Sequence, residues 1–169
     1  LLLAAAGVAI GGTLALGRPA VPAALLWAMV SAVGLGAAGN TANDLFDLEV
    51  DRVNRPARPL PGGAVSHAAA LVIGGVGGGL GLFAAWWVGE PVFGLGLAAL
   101  AVMLVYSPLL KQRGLLGNLA VAAVASLPLI YGAAAVGSWR TGLVPFALAA
   151  LLHLSREIVQ AGQGIGIGE

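Results

Sequence analysis

Residues 21–51 read VPAALLWAMVSAVGLGAAGNTANDLFDLEVD. No charge occurs from Val21 to Gly39, and then Asp44, Asp47, Glu49 and Asp51 arrive together. An uncharged run of this length matches the roughly 20 apolar residues that a helix needs to cross a bilayer. The pattern recurs at Leu1 to Gly17, Ala68 to Gly89, Pro91 to Leu110, Gly114 to Trp139 and, shorter, Thr141 to Ser155. No sustained period-2 alternation runs through these stretches, and a lipid-exposed sheet edge would leave backbone groups unpaired. The reading is therefore an all-α, polytopic transmembrane bundle of six helices. Residues 1–169 form one domain, with residues 160–169 as an atypical, flexible, glycine-rich tail.

Composition excludes the soluble alternatives. Hydrophobic residues make up 59% of the chain and charged residues 9%, against about 25% charge in an ordinary soluble domain. Such a chain could not cover a water-facing surface, form a coiled coil or behave as a disordered tail. The absence of cysteine excludes disulfides and thiolate metal sites. The first run lacks a basic leader and five spans follow it, which favours a span over a signal peptide. The chain starts at Leu1 inside an apolar run and reads as part of a longer protein. Gly75/Gly79 and Gly77/Gly81 read as small-residue packing positions rather than a phosphate loop, since no strand precedes them.

Charge placement gives an orientation. Gly17-Arg18-Pro19, Gly89-Glu90-Pro91 and residues 137–142 are tight turns. The alternate connections are basic and hold Arg52, Arg55 and Arg58, then Lys111 and Arg113, then Arg156. The positive-inside rule places these on the cytoplasmic side of the cell membrane. Nothing in this pattern supports nucleic-acid binding.

The acids follow helical spacing. On a helix continued from the second span, Asn40, Asn43, Asp44, Asp47 and Asp51 share one face, and Glu49 points away. A carboxylate at the bilayer centre costs about 2.5–3.5 kcal/mol, so three on one stripe need a wet cavity or a cation. Carboxylate and amide oxygens suit a hard divalent ion such as Mg²⁺, and no nearby His or Cys suggests Zn²⁺. The arginines that follow suit the phosphate oxygens of a metal–diphosphate complex. They equally suit a charged helix end and a positive-inside loop.

Asn43 to Asp51 and the following Arg-x-Asn-Arg-Pro-x-Arg-Pro-Leu-Pro resemble the first aspartate-rich motif of the UbiA-type intramembrane prenyltransferases. Tyr106 to Lys111, with Gly114, Gly117 and Asn118, resembles the family's fourth span and the loop after it. Residues 51–56 and Ser155-Arg156-Glu157-Ile158-Val159 look most like the digeranylgeranylglyceryl phosphate synthase group. The resemblance implies a nine-helix bundle of which this chain is the N-terminal part. It implies that Asn43, Asp44, Asp47 and Asp51 hold Mg²⁺ and that the aspartates are catalytic. Arg52, Arg55, Arg58 and Lys111 then bind the diphosphate of an isoprenyl donor, and Asn40, Tyr106 and Asn118 line the substrate chamber. The reaction implied is prenyl transfer, geranylgeranyl in this group, to a lipid acceptor such as geranylgeranylglycerol phosphate, in membrane lipid biosynthesis. An aromatic or tetrapyrrole acceptor is the alternative within the superfamily, and a transporter is the alternative outside it.

The family's second aspartate motif is not found after Arg156-Glu157-Ile158-Val159, because residues 160–169 hold no aspartate. The expectation is a truncated or frame-shifted reading of a longer gene, with weak activity on its own. Several residues carry two readings each. Lys111 reaches the diphosphate or serves as a topology charge, and Arg113 reads as the latter. Asn118 lines the cavity or bonds a neighbouring helix, and Tyr106 lines the chamber or anchors at the interface. Trp86, Trp87 and Trp139 read as interfacial belt residues, His67 as solvated and His153 as a packed polar residue. Arg156 and Glu157 pair with one another or point into the site.

Overall fold

The structure, a computed structural model, describes residues 1–165, with side chains through residue 159. It is all helical among the described residues, in the order α1 (Leu2–Leu16), α2 (Ala23–Phe46), α3 (Leu48–Asn54), α4 (His67–Val88), α5 (Glu90–Val105), α6 (Leu115–Ala135) and α7 (Leu143–Ile165). A π-helical turn, Tyr106–Leu110, continues α5, and a 3₁₀ turn, Trp139–Gly142, precedes α7. Among the described residues five helices are long and apolar enough to cross a membrane: α2, α4, α5 with its π turn, α6, and α7 with its 3₁₀ turn. At 15 residues, α1 is shorter and covers only about 22 Å of a bilayer core some 30 Å thick.

The six expected runs are all helices, and the seventh arises from a break. The second span does not continue unbroken through the acids. Asp47 sits at φ −87° and ψ 2° between α2 and α3, so Asp44 lies on α2, Asp51 on α3 and Asp47 at their junction. At the other end, α7 extends six residues into the segment read as a tail, reaching Ile165. The missing aspartates of residues 160–169 concern side chains outside the described residues.

Turn chemistry follows the sequence. Gly17 closes α1 with φ +64°, a left-handed value that costs a glycine little. Ser66 caps α4, its Oγ accepting from the Ala69 N–H at 3.1 Å. Pro108 has no N–H to give to a carbonyl one turn back, and the chain widens there. Lys111 N–H accordingly donates to Tyr106 O at 2.8 Å, five residues back.

The centre of the bundle is α2, which packs on α1, α4, α5 and α6. Its contact with α4 is made through glycines. A Cβ on Gly34 would stand 2.5 Å from Gly77 O, and one on Gly81 would stand 2.8 Å from Leu35 N. Of the two small-residue pairs expected on α4, Gly77/Gly81 packs against α2. Gly75/Gly79 does not, for a Cβ at either would meet nothing within 4 Å. The pairs lie on opposite sides of the helix, and Gly75/Gly79 border an open space beside Leu100 and Leu104 of α5. A similar close approach joins α1 to α6, where a Cβ on Gly132 would overlap the Val8 carbonyl. Trp86, Trp87 and Trp139 are all exposed.

Candidate functional site

The site lies where α2 ends, the end that also receives the start of α4, the π turn of α5 and the loop before α4. The loop is folded on itself: Gly62 N–H donates to Arg58 O at 2.8 Å and Val65 N–H to Pro59 O at 3.0 Å. This carries Arg58, Pro59, Leu60, Pro61 and Val65 over the acids as one wall of an open basin of about 500 Å³. Asn40, Asn43, Asp44 and Asp51 face the basin from α2 and α3. A second cavity of about 260 Å³ continues inward between α2, α5 and α6, past Gly39, Val102, Met103, Tyr106 and Val121. Asn40 and Asn43 line both cavities, so they form the threshold between a charged basin and an apolar chamber.

Arg58 organises the basin. Its Nη1 donates to Asp51 Oδ2 at 2.6 Å and approaches Asp44 Oδ1 at 3.4 Å. Asp51 is buried, at 7% exposure, and a carboxylate so placed needs a cationic or hydrogen-bonded partner. Asp47 faces elsewhere: Lys111 Nζ donates to its Oδ2 at 2.6 Å. The expected stripe of three acids is therefore a convergent pair, Asp44 and Asp51, beside a separate Asp47–Lys111 pair. Asp47 lies at the junction of α2 and α3, where Lys111, just after the π turn of α5, engages it. Among the described residues no three carboxylates or imidazoles gather around one point.

The remaining candidates divide clearly. Arg52 pairs with Glu49 at 2.7 Å, with both side chains exposed, so Glu49 points outward as expected. Arg55 and Arg113 are exposed. Tyr106 lines the chamber. Asn118 is half-buried at the start of α6 and lines neither cavity. His67 is exposed, His153 is half-buried, and Arg156 pairs with Glu157 at 3.0 Å.

Ser107 was not among the candidates. Its Oγ donates to Asn43 Oδ1 and fixes the amide at the threshold. Ser107 and Lys111 sit one widened turn apart and face Asn43 and Asp47, one turn apart at the end of α2. The π turn thus latches the end of α5 to the end of α2. The adjacent Pro108 was a visible signal of irregular helix, though not of the partner.

The donor set suits a hard cation. Its atoms are carboxylate and amide oxygens, and a guanidinium nitrogen already stands as a cation between Asp44 and Asp51. Mg²⁺ therefore fits the residues present.

The family model described as "UbiA prenyltransferase family" matches residues 2–163. Digeranylgeranylglyceryl phosphate synthase of Thermococcus sibiricus is 41% identical over 152 residues, covering 88% of this chain and 53% of that protein. The protein of the same name from Halobacterium salinarum is 43% identical over 151 residues, covering 86% and 52%. The chain thus spans about half the length of the curated relatives it matches. A solved structure described as "Structural and mechanistic insights into the biosynthesis of Digeranylgeranylglyceryl phosphate synthase in membranes" superposes with a TM-score of 0.89 at 23% identity, covering 96% of this chain and 58% of that one. The apo structure of a UbiA homolog from Aeropyrum pernix K1 gives 0.77 at 23% identity, covering 90% and 59%. These two likenesses concern the fold. The sequence matches carry the assignment further: with nearly its whole length matched, this chain belongs to the UbiA prenyltransferase family.

Proposed function

We propose that the protein transfers a geranylgeranyl group from its diphosphate to a lipid acceptor, geranylgeranylglycerol phosphate, at the cytoplasmic side of the cell membrane. The observation that carries this reading is the shared threshold. Asn40 and Asn43 face a basin of acids and arginine on one side and an apolar chamber on the other. An amphiphile with a charged diphosphate head and a hydrocarbon tail is what such a pair of spaces accepts. The names of the curated relatives support the choice of donor and acceptor.

Asp44 and Asp51 would hold Mg²⁺ in this reading, and Asp47 would be available to it if Lys111 turned to phosphate. Bound there, the ion would supply positive charge to the departing diphosphate. Arg58 leaves the two aspartates for phosphate oxygens, and Arg52 and Arg55 enlarge the positive rim of the loop. In the transfer, the bond between donor C1 and the bridging oxygen breaks. Its electron pair leaves with the diphosphate, the acceptor hydroxyl oxygen bonds C1, and that hydroxyl releases its proton. The apolar chamber keeps water from the allylic cation.

The test is a transfer assay in membranes with labelled geranylgeranyl diphosphate and a panel of acceptors: geranylgeranylglycerol phosphate, an aromatic acid and a tetrapyrrole. Product with the glycerol phosphate lipid, abolished by chelation of Mg²⁺, is expected. Product with the aromatic or tetrapyrrole acceptor alone would reassign the acceptor. Labelled donor left unchanged with every acceptor would overturn the reading.

A further inference from the structure

The two ends of the Asn43 amide meet different surroundings. Its Oδ1 accepts from Ser107 Oγ, the one side-chain hydrogen bond that Asn43 makes among the described residues. Ser107 belongs to the π turn after α5, whereas the basin is walled by α2, α3, α4 and the loop between α3 and α4. The amide oxygen is therefore turned toward the end of α5, which contributes nothing to the basin wall.

The nitrogen end is left free. An amide Nδ2 carries two N–H donors and no acceptor. Here it has no partner, and it is not buried, since Ser126 Oγ is the only buried side-chain nitrogen or oxygen without a partner among the described residues. The donors therefore open onto space, and the spaces that Asn43 lines are the basin and the chamber. No carboxylate takes them: Arg58 engages Asp44 and Asp51, and Lys111 engages Asp47.

This polarity sets Asn43 apart from the aspartates with which the family resemblance groups it as a metal ligand. A hard cation takes oxygen, and Asn43 could offer its oxygen only by giving up the Ser107 hydrogen. An N–H donor suits an anion instead, and a hydrogen bond to a charged phosphate oxygen is among the stronger ones. In a prenyl diphosphate, the phosphate that carries the tail is where the charged head meets the hydrocarbon. Asn43 stands at the corresponding junction of charged basin and apolar chamber. We propose that Asn43 is not a metal ligand but donates from Nδ2 to an oxygen of the tail-bearing phosphate, and that Ser107 is the positioning residue that fixes this polarity. The inference rests on the diphosphate-binding reading above and assigns Asn43 its part in it.

The experiment is binding of geranylgeranyl diphosphate across a series of Mg²⁺ concentrations, to the unsubstituted protein and to Asn43→Ala in lipid nanodiscs, with thermal unfolding as a check on folding. Loss of a donor to phosphate should weaken the diphosphate about tenfold at every Mg²⁺ concentration. The Mg²⁺ concentration that gives half of the full gain in affinity should stay where it was. Geranylgeranyl monophosphate, whose single phosphate bears the tail, should lose the same factor. Ser107→Ala frees the amide to turn and should reproduce part of the loss, again with the Mg²⁺ midpoint unmoved. If Asn43→Ala does not fold, Ser107→Ala decides. A midpoint moved to higher Mg²⁺ would make Asn43 a metal ligand and overturn the inference while leaving the diphosphate reading intact. Unchanged affinity in the folded variant, or a loss confined to the diphosphate, would also overturn it. Failure of the unsubstituted protein to bind geranylgeranyl diphosphate at any Mg²⁺ concentration would overturn both.

Discussion

Arg58 follows Asp51 by seven residues, yet its Nη1 comes back to within 2.6 Å of Asp51 Oδ2. The return requires α3 to end at Asn54 and the proline-rich loop to fold over the basin. The same nitrogen reaches toward Asp44, so one side chain of the loop bridges two acids on successive helices.

On the proposed function, that bridge makes Arg58 a competitor for the acids as well as a ligand for phosphate. Arg58→Ala should raise the affinity of the diphosphate-free protein for Mn²⁺, read by electron paramagnetic resonance of the free ion. The same substitution should weaken geranylgeranyl diphosphate about tenfold or more, since a charge-assisted hydrogen bond is lost. Arg58→Lys should restore part of the diphosphate affinity, because the charge remains and the fork does not. Unchanged Mn²⁺ affinity in Arg58→Ala would separate Arg58 from the acids.

The acids should not be equivalent. Asp51 is buried and aimed into the basin, whereas Asp47 is turned to Lys111. Asp51→Asn is expected to lower kcat/KM for prenyl transfer by about 10²–10³, the range for losing a group that stabilises transition-state charge. Asp47→Asn should cost less, and Lys111→Ala should act mainly on the KM for the diphosphate. Equal losses for Asp47→Asn and Asp51→Asn would contradict the divided arrangement.

Ser107 acts through Asn43. Ser107→Ala removes the donor to Asn43 Oδ1 and should raise the KM for donor several-fold with little change in kcat. Ser107→Thr should rescue it, as the hydroxyl returns. Equal loss in both variants would mark a packing role only.

The glycine crossings predict stability by position. Gly132→Ala places a Cβ against the Val8 carbonyl and should destabilise the bundle by about 1–3 kcal/mol, as overpacking does. Gly75→Ala faces open space and should be tolerated. Thermal unfolding of the two variants in one detergent compares them directly.

The spans were legible in the sequence because charge-free runs have few physical solutions in a bilayer. The gathering of acids at the end of the second span was legible too, since helical spacing brings Asp44 and Asp51 toward one side. Their distribution was not. Helical spacing put Asp44, Asp47 and Asp51 on one face, but Asp47 falls at the junction of α2 and α3, and Lys111, distant in sequence, takes that carboxylate. Ser107 escaped for a related reason. Its partner, Asn43, lies across the bundle, and no local period reveals it. Gly75 and Gly77 show the same limit, as identical residues in one glycine-rich run with only one of them against a neighbouring helix.

The central claim is that Asp44 and Asp51 gather the metal on which diphosphate binding depends. The most direct measurement is geranylgeranyl diphosphate binding as a function of Mg²⁺ concentration, with the unsubstituted protein and the Asp44→Asn/Asp51→Asn double variant side by side. Binding that rises with Mg²⁺ in the first and no longer responds to Mg²⁺ in the folded second is the predicted result. The same Mg²⁺ dependence in both proteins would contradict it.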